Sequence, residues 1–401
     1  MPRVNPEILR WARETAGLSL SEASSRLGLR EARSVPPIDR LRELERGEKP
    51  PTRPMLVKMA KQYRRPLLTF YLAIPPRQGD RGQDFRTLPE DHSEADEALL
   101  DALIRSVQAR QSLVRAAIED EDEAVPLDFV GSASTEMGVT QVLTSIRETL
   151  GFDLRDYRSA QNQYEAFDLL RSAVEELGVF VLLLGNLGSH HTNIGLEAFR
   201  GFSLADHCAP FIVINDQDSR AAWSFTLLHE LTHIWLGQTG VSGSDPHQGI
   251  EKFCNDVAAE FLLPGAELAQ LLIQEPINIE ELAIGIGEFA FDRKVSRSMV
   301  AYNLHWRRRI NFSDWRRLDE HFRQRWFEEV ETRRVQNRER PGGPDFYVVR
   351  RHRVGSALIE LTARLLAGGT LTTSKAGQVL GVKPKQVDSF IGDFAPFRHA
   401  S

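Results

Sequence analysis

The chain has 401 residues, 41% hydrophobic and 26% charged, with a formal net charge of −6. That balance excludes a fibrous or wholly disordered chain, and the length allows two or three domains that each bury a core. Two cysteines, Cys208 and Cys254, exclude a disulfide framework and a Cys-x-x-Cys pair. The start, MPRVNPEILRWARE, lacks the apolar stretch of a secretion signal, and no later run approaches the ~18 apolar residues of a membrane span. The expected setting is the cytoplasm, with no membrane partner.

Charge is unevenly spread. Over residues 1–80, 16 Lys and Arg stand against 9 Asp and Glu, a surplus of seven positive charges. The same stretch reads as short helices separated by turns. NPEILRWARETAGL carries Ile8, Leu9, Trp11, Ala12 and Ala16 at helical spacing and ends at Gly17. SLSEASSRLGL opens on a capping serine, keeps Leu20, Ala23 and Leu27 on one face and stops at Gly28. After an insertion with Pro36 and Pro37, IDRLRELERGEKPPT predicts a third helix and MLVKMAKQYRRPLLTFYL a fourth.

These residues resemble the Cro/repressor-type, or XRE-type, DNA-binding domain over about 70 residues. The resemblance rests on RETAGLSLSEASSRLG, LERGEKPPT and LVKMAKQYRRPL. It departs in the lengthened turn before the third helix, and at Leu44, where many relatives carry an aromatic residue. It implies DNA as a partner, with the start of the third helix in the major groove and arginines on phosphates. Arg33, Arg40 and Arg42 are the candidate DNA contacts.

RQGDRGQDFRTLPE, from residue 77, has the composition of a linker, and a helical period follows through Leu99, Leu100, Leu103, Ile104 and Val107. Two further helical patterns occupy 137–178. GVFVLLLG, GFSLAD and PFIVIND then read as three short strands. From 223 to 237, Trp223, Leu227, Leu228, Leu231, Ile234 and Trp235 recur with a period near 3.6 and predict a helix. Strands followed by this helix suggest an α+β domain.

That helix contains His229-Glu230-Leu231-Thr232-His233. Histidines at i and i+4 lie one turn apart on one face and can hold a single metal ion. Glu230, about 100° round, is placed to take a proton from water beside the ion. A third protein ligand is required. The metzincin extension needs Gly at 236 and His at 239, but Leu236 and Thr239 stand there. A carboxylate on the following helix, GIEKFCNDVAAEFLLPGAEL, is the remaining option. Glu251, near its start and on one face with Asn255, ranks first; Glu260, Asp245 and His247 stay open. Asn255 is a candidate for a supporting hydrogen bond to a ligating imidazole.

RGFSLADHCAPFIVINDQDSRAAWSFTLLHELTHIWLG, followed by EKFCNDVAAEFLLP, resembles the ImmA/IrrE family of zinc metallopeptidases over about residues 150–270. The resemblance implies zinc held by His229, His233 and Glu251, and Glu230 as general base. It further implies a protein substrate, a transcriptional repressor in this family, and an edge strand, GFSLAD or PFIVIND, along which a peptide adds. The family commonly joins an XRE-type domain to the peptidase. The oxyanion-stabilising group stays open among His190, His191, His247 and Tyr302.

Residues 295–335 are helical and basic, with Trp306, Trp315 and Trp326 read as packing residues. LTTSKAGQVLGVKPKQVDSF near the end resembles a second helix-turn-helix-like element, expected to dock protein. The expected class is mainly α with α+β: an N-terminal helix-turn-helix bundle at 1–76, a linker and helical segment at 77–136, a zincin-like α+β peptidase with a small sheet at 137–290, and a helical region at 291–401. The expected function is a DNA-associated regulatory zinc endopeptidase. The competing reading is a DNA-binding autoregulator or antitoxin-like module that uses the zincin fold as a scaffold for a toxin partner. A homodimer is compatible with either.

Overall fold

The computed structural model describes residues 4–32, 34–76, 94–241, 249–273, 277–339 and 345–392. Two compact units are present: residues 1–107 with 186–199, and residues 108–185 with 200–401. Mostly helical structure surrounds one small mixed sheet, as the sequence predicts.

The first unit opens with α1 (Pro6–Glu14), α2 (Leu20–Arg26), α3 (Pro37–Glu45) and α4 (Arg53–Gln62). Local chemistry sets their starts. Asn5 caps α1, with Pro6 at the first helical position. Ser19 and Glu22 form a reciprocal capping box on α2. One face of each helix feeds a core of Ile8, Leu9, Ala12, Ala23, Leu27, Leu41, Leu56, Met59, Tyr63 and Phe70. Within it Arg13 is buried against Glu45 at 2.7 Å, which ties α1 to α3. The turn between α2 and α3 spans residues 27–36 and contains a bridge between Ala32 and Val35, with Ser34 at φ 62°. The fourth predicted helix is shorter than expected. It stops at Gln62 and resumes as a 3-10 turn at Leu67–Tyr71, because Pro66 has no N–H to donate and disfavours helical geometry just before it.

α5 runs over Glu94–Asp120. In the second unit follow α6 (Val139–Leu150), α7 (Leu154–Ser159) and α8 (Gln163–Glu176), one helix more than the sequence pattern predicts for 137–178. The sheet comprises β1 (Phe180–Leu183), β2 (Gly201–Leu204), β3 (Phe211–Ile214) and β4 (Gly240–Val241), in the order β1-β3-β2-β4. β1 is parallel to β3 with Phe180 opposite Phe211; β2 runs antiparallel to both β3 and β4. All four residues of β1, β2 and β3 are buried; in β1 and β3 this matches an unbroken apolar run, whereas β2 also buries the polar Ser203.

This order corrects the expectation of an open edge. β3 is interior, and β2 is paired on its other side by β4 at Phe202 and Ser203. The N–H of Ala205 is also spent, on Thr239 Oγ1 at 2.9 Å. A peptide adding along GFSLAD would have to displace those bonds, and PFIVIND offers no edge.

Against the sheet lies α9 (Arg220–Trp235), and against α9 lies α10 (Gly249–Leu262). α9 is buried on nearly every side from Thr226 to Trp235. Leu227, Leu228, Leu231, Ile234 and Trp235 are each almost fully buried, and each contributes ~2 kcal/mol of apolar burial. Those terms offset the cost of enclosing His229, Glu230 and His233 in the same helix. Gly237 ends α9 at φ 66°, and a Cβ there would come within 2.9 Å of Gly131 Cα, so both conformation and space require glycine.

The unit continues with α11 (Gly265–Leu268), α12 (Ile279–Asp292), α13 (Arg297–Trp306), α14 (Phe312–Glu339), α15 (Phe346–Val354), α16 (Ser356–Ala367), α17 (Thr373–Leu380) and α18 (Val387–Ile391). Of the tryptophans read as packing residues, Trp315 stacks on His305 and packs against the large core, whereas Trp306 is 37% exposed. No helix among the described residues is long and apolar enough to cross a membrane.

Candidate metal centre

Helical periodicity turns His229 and His233 to one side of α9, towards α10. Their Nε2 atoms are 3.1 Å apart. Glu251, in the first turn of α10, reaches both: Oε2 lies 3.3 Å from His229 Nε2, and Oε1 lies 3.3 Å from His233 Nε2. Side chains of the three residues are all but buried. They form a group whose donor atoms lie within 4.8 Å of one another.

The donor set fits a zinc ion. Ligand atoms 2.0–2.1 Å from a tetrahedral centre stand about 3.3 Å apart, close to the three separations here. Two imidazole nitrogens and the Glu251 carboxylate would give three protein ligands, the number with which zinc keeps a place for water or substrate.

Without a metal the three groups form a charged hydrogen-bonded cluster. Burial opposes ionisation of Glu251, but hydrogen bonds and charge from His229 and His233 prevail and hold its pKa at about 2. Burial likewise opposes a charged His233, yet its pKa stands well above the ordinary 6.5. Cys254, Glu251 and Glu230 all face it. We assign the effect to the two carboxylates, because burial pushes the Cys254 thiol up and keeps it neutral.

Glu230 is fully buried between the two histidines in sequence. Its carboxylate lies over the first residue of β2: a Cβ on Gly201 would meet Glu230 Oε1 at 2.7 Å and Thr226 Cγ2 at 2.6 Å. Gly201 therefore sets how closely the carboxylate approaches the strand. Sequence reasoning did not single it out, although a glycine opening an apolar strand is a sign of close backbone approach. Cys254, in contact with His233, is likewise a residue that sequence reasoning does not place at the site.

Other candidates fall elsewhere. Asn255 is half-buried, and the Nδ1 atoms of His229 and His233 are buried without a hydrogen-bond partner, so Asn255 does not support either ring here. Glu260 sits nine residues after Glu251, which is half a revolution round the helix. There it pairs with Arg307 and accepts the Gly265 N–H at 3.2 Å, away from the histidines. Asp245 and His247 lie outside the described residues. Tyr302 packs edge-on against Trp315, 6.3 Å between ring centres, and its pKa is raised by burial and then by Asp256. His191 is exposed.

In the first unit Arg40 is half-buried and donates from Nη1 to the Arg30 carbonyl at 2.6 Å. Arg42 is exposed and pairs with Asp39 at 2.7 Å. Arg33 lies outside the described residues.

Residues 186–305 match the family model described as the IrrE N-terminal-like domain, of the peptidase M78 group. The match takes in β2, β3, α9 and α10, with His229, His233 and Glu251 inside it, and spans under a third of the chain. No curated protein and no solved structure matches the chain. The matched segment is similar to metallopeptidases of the IrrE/ImmA type.

Proposed function

We propose that the protein is a zinc-dependent metalloendopeptidase that cleaves one specific protein. The observation that carries this reading is the convergence of His229, His233 and Glu251 beside the buried Glu230, within the segment similar to peptidase M78. His229 and His233 would supply neutral imidazoles and Glu251 a carboxylate. A zinc ion bound there supplies Lewis acidity that polarises a carbonyl and acidifies water. Glu230 takes the proton of the attacking water and returns it to the leaving amine. The apolar wall of α9 and the sheet lowers the local dielectric and strengthens those charge interactions. Gly201 keeps the strand backbone close behind the Glu230 carboxylate and limits its freedom.

A transcriptional repressor is the substrate that the family resemblance favours. The helices of residues 1–76 would bring the enzyme to DNA or to its target, with Arg40 and Arg42 on the third helix as candidate contacts. Basic charge and the capped starts of α1 and α2 support that part. Two measurements test the reading. Elemental analysis should find near one zinc per chain in wild type and a large loss in Glu251→Ala. Mass spectrometry of a cell extract treated with zinc-loaded protein should find new peptide N-termini that are missing with Glu230→Gln. Little zinc after supplementation, or termini indifferent to Glu230, would overturn it.

A further inference from the structure

A second concentration of charge lies in the second unit, and arginines dominate it, with Arg110 buried and Arg350 half-buried. Arg110, on α5, is 8% exposed, and its Nε and Nη1 have no hydrogen-bond partner. Arg350, on α15, donates from Nη2 to the Gly381 carbonyl at 2.6 Å, while its Nε is buried without a partner. The two guanidinium groups meet over Gly381, which ends α17 at φ 67°. A Cβ there would lie 2.4 Å from Arg350 Nη2 and 2.7 Å from Arg110 Nη2. Arg353, one turn along α15, pairs with Asp216 at 2.5 Å. Asp216 also accepts from Gln217 and its charge acts on Arg350, so this one carboxylate is shared between Arg353 and Arg350.

An arginine does not escape this situation by losing its proton. Burial, then the charge of Arg350, pulls Arg110 down to about 10, which still leaves it cationic at neutral pH. Water could satisfy the free N–H groups but would not cancel two adjacent desolvated charges. An anion would do both. Guanidinium forks bind tetrahedral oxyanions through paired N–H bonds, and a dianion balances two arginines where a carboxylate would balance one. The burial of Arg110 restricts the ligand to a small species, since a nucleic-acid backbone or a folded surface reaches only exposed arginines.

We infer that Arg110 and Arg350 form a binding site for a small phosphate-type dianion beside Gly381. This site is independent of the histidine centre and does not rest on the peptidase reading.

Thermal unfolding of the full chain in inorganic phosphate, against chloride at matched ionic strength, tests it. The midpoint of wild type should rise by about 4 °C at a phosphate concentration a hundredfold above Kd. Arg110→Met should abolish the rise, and Arg350→Gln should at least halve it. Removing a buried unpaired charge leaves Arg110→Met at least as stable as wild type in chloride; should it fail to fold, Arg350→Gln carries the test. A glycerol phosphate arm separates sources: an equal shift assigns the phosphate group alone, and a larger one assigns a phosphate monoester. No shift in wild type, or the same shift in wild type and both variants, overturns the site.

Discussion

Two of the buried polar groups that join helices in this chain differ in how their hydrogen-bonding capacity is used. In the first unit Arg13 spends all three guanidinium nitrogens: Nε and Nη2 on Glu45, Nη1 on the Leu18 carbonyl, and Nη2 again on Glu14. In the second, His229, His233 and Glu251 turn their donor atoms towards one another within 4.8 Å and leave both Nδ1 atoms without partners. The first arrangement is closed upon itself and fixes α1 against α3. The second holds coordinating capacity in reserve at one point, which is what a metal needs and a structural network avoids. Burial alone therefore does not distinguish a clasp from a site; the convergence of two Nε2 atoms and a carboxylate on one point does.

The largest effect is expected at Glu230. Glu230→Gln should lower kcat on the cleaved substrate by about a thousandfold, or ~4 kcal/mol, while zinc content and unfolding midpoint stay near wild type. A fall in zinc content instead would place Glu230 among the ligands. The clasp should respond in the opposite sense. Arg13→Met leaves Glu45 buried and unpaired, and should cost ~3 kcal/mol or more in denaturant unfolding of the first unit, whether or not zinc is present. A zinc-dependent loss would dissolve the distinction.

Acid and base sharpen it further. The contribution of Glu251 to the metal-free protein is complete above its ordinary value of 4.5 and fades as pH falls towards about 2, a difference of about 3 kcal/mol. His233 works the other way: its contribution is complete below 6.5 and fades as pH rises through its elevated value. Metal-free wild type should thus exceed Glu251→Gln in stability between about pH 4.5 and 6.5, and the gap should close near pH 2. Urea midpoints across that range would check it, and parallel profiles would refute it. Zinc binding must expel the His233 proton, so its affinity should fall as pH drops.

The comparison also shows what the sequence made legible. α9 could be read because Trp223 to Trp235 repeat with the helical period, and its histidines follow at fixed angles. The strands could be read from composition, but not their order: four apolar residues in β3 look the same at an edge as in the interior. Arg13 and Arg110 look alike in sequence, one arginine on an amphipathic helix each. Only the chain brought back from far away, Glu45 in one case and Arg350 in the other, makes one a clasp and leaves the other unpaired. The break at Pro66 was visible as a residue, yet the apolar run around it suggested one continuous helix.

Smaller effects probe the edges of both regions. Gly201→Ala should push the Glu230 carboxylate from its place against β2 and lower kcat about tenfold, ~1.4 kcal/mol, with KM and zinc content little changed. Loss of zinc along with activity would mean that Gly201 supports the fold rather than the base. The smallest effect is expected at Arg42, whose pair with Asp39 is half-exposed on both sides and worth under ~0.5 kcal/mol. Arg42→Ala should leave unfolding unchanged. If α3 meets DNA, the same substitution should reduce the slope of log affinity against log salt by about one, because one phosphate contact is lost. An unchanged slope would remove Arg42 from the DNA-facing surface. It would leave the clasp of Arg13 and Glu45 untouched, since that pair holds the helix and not its outer face.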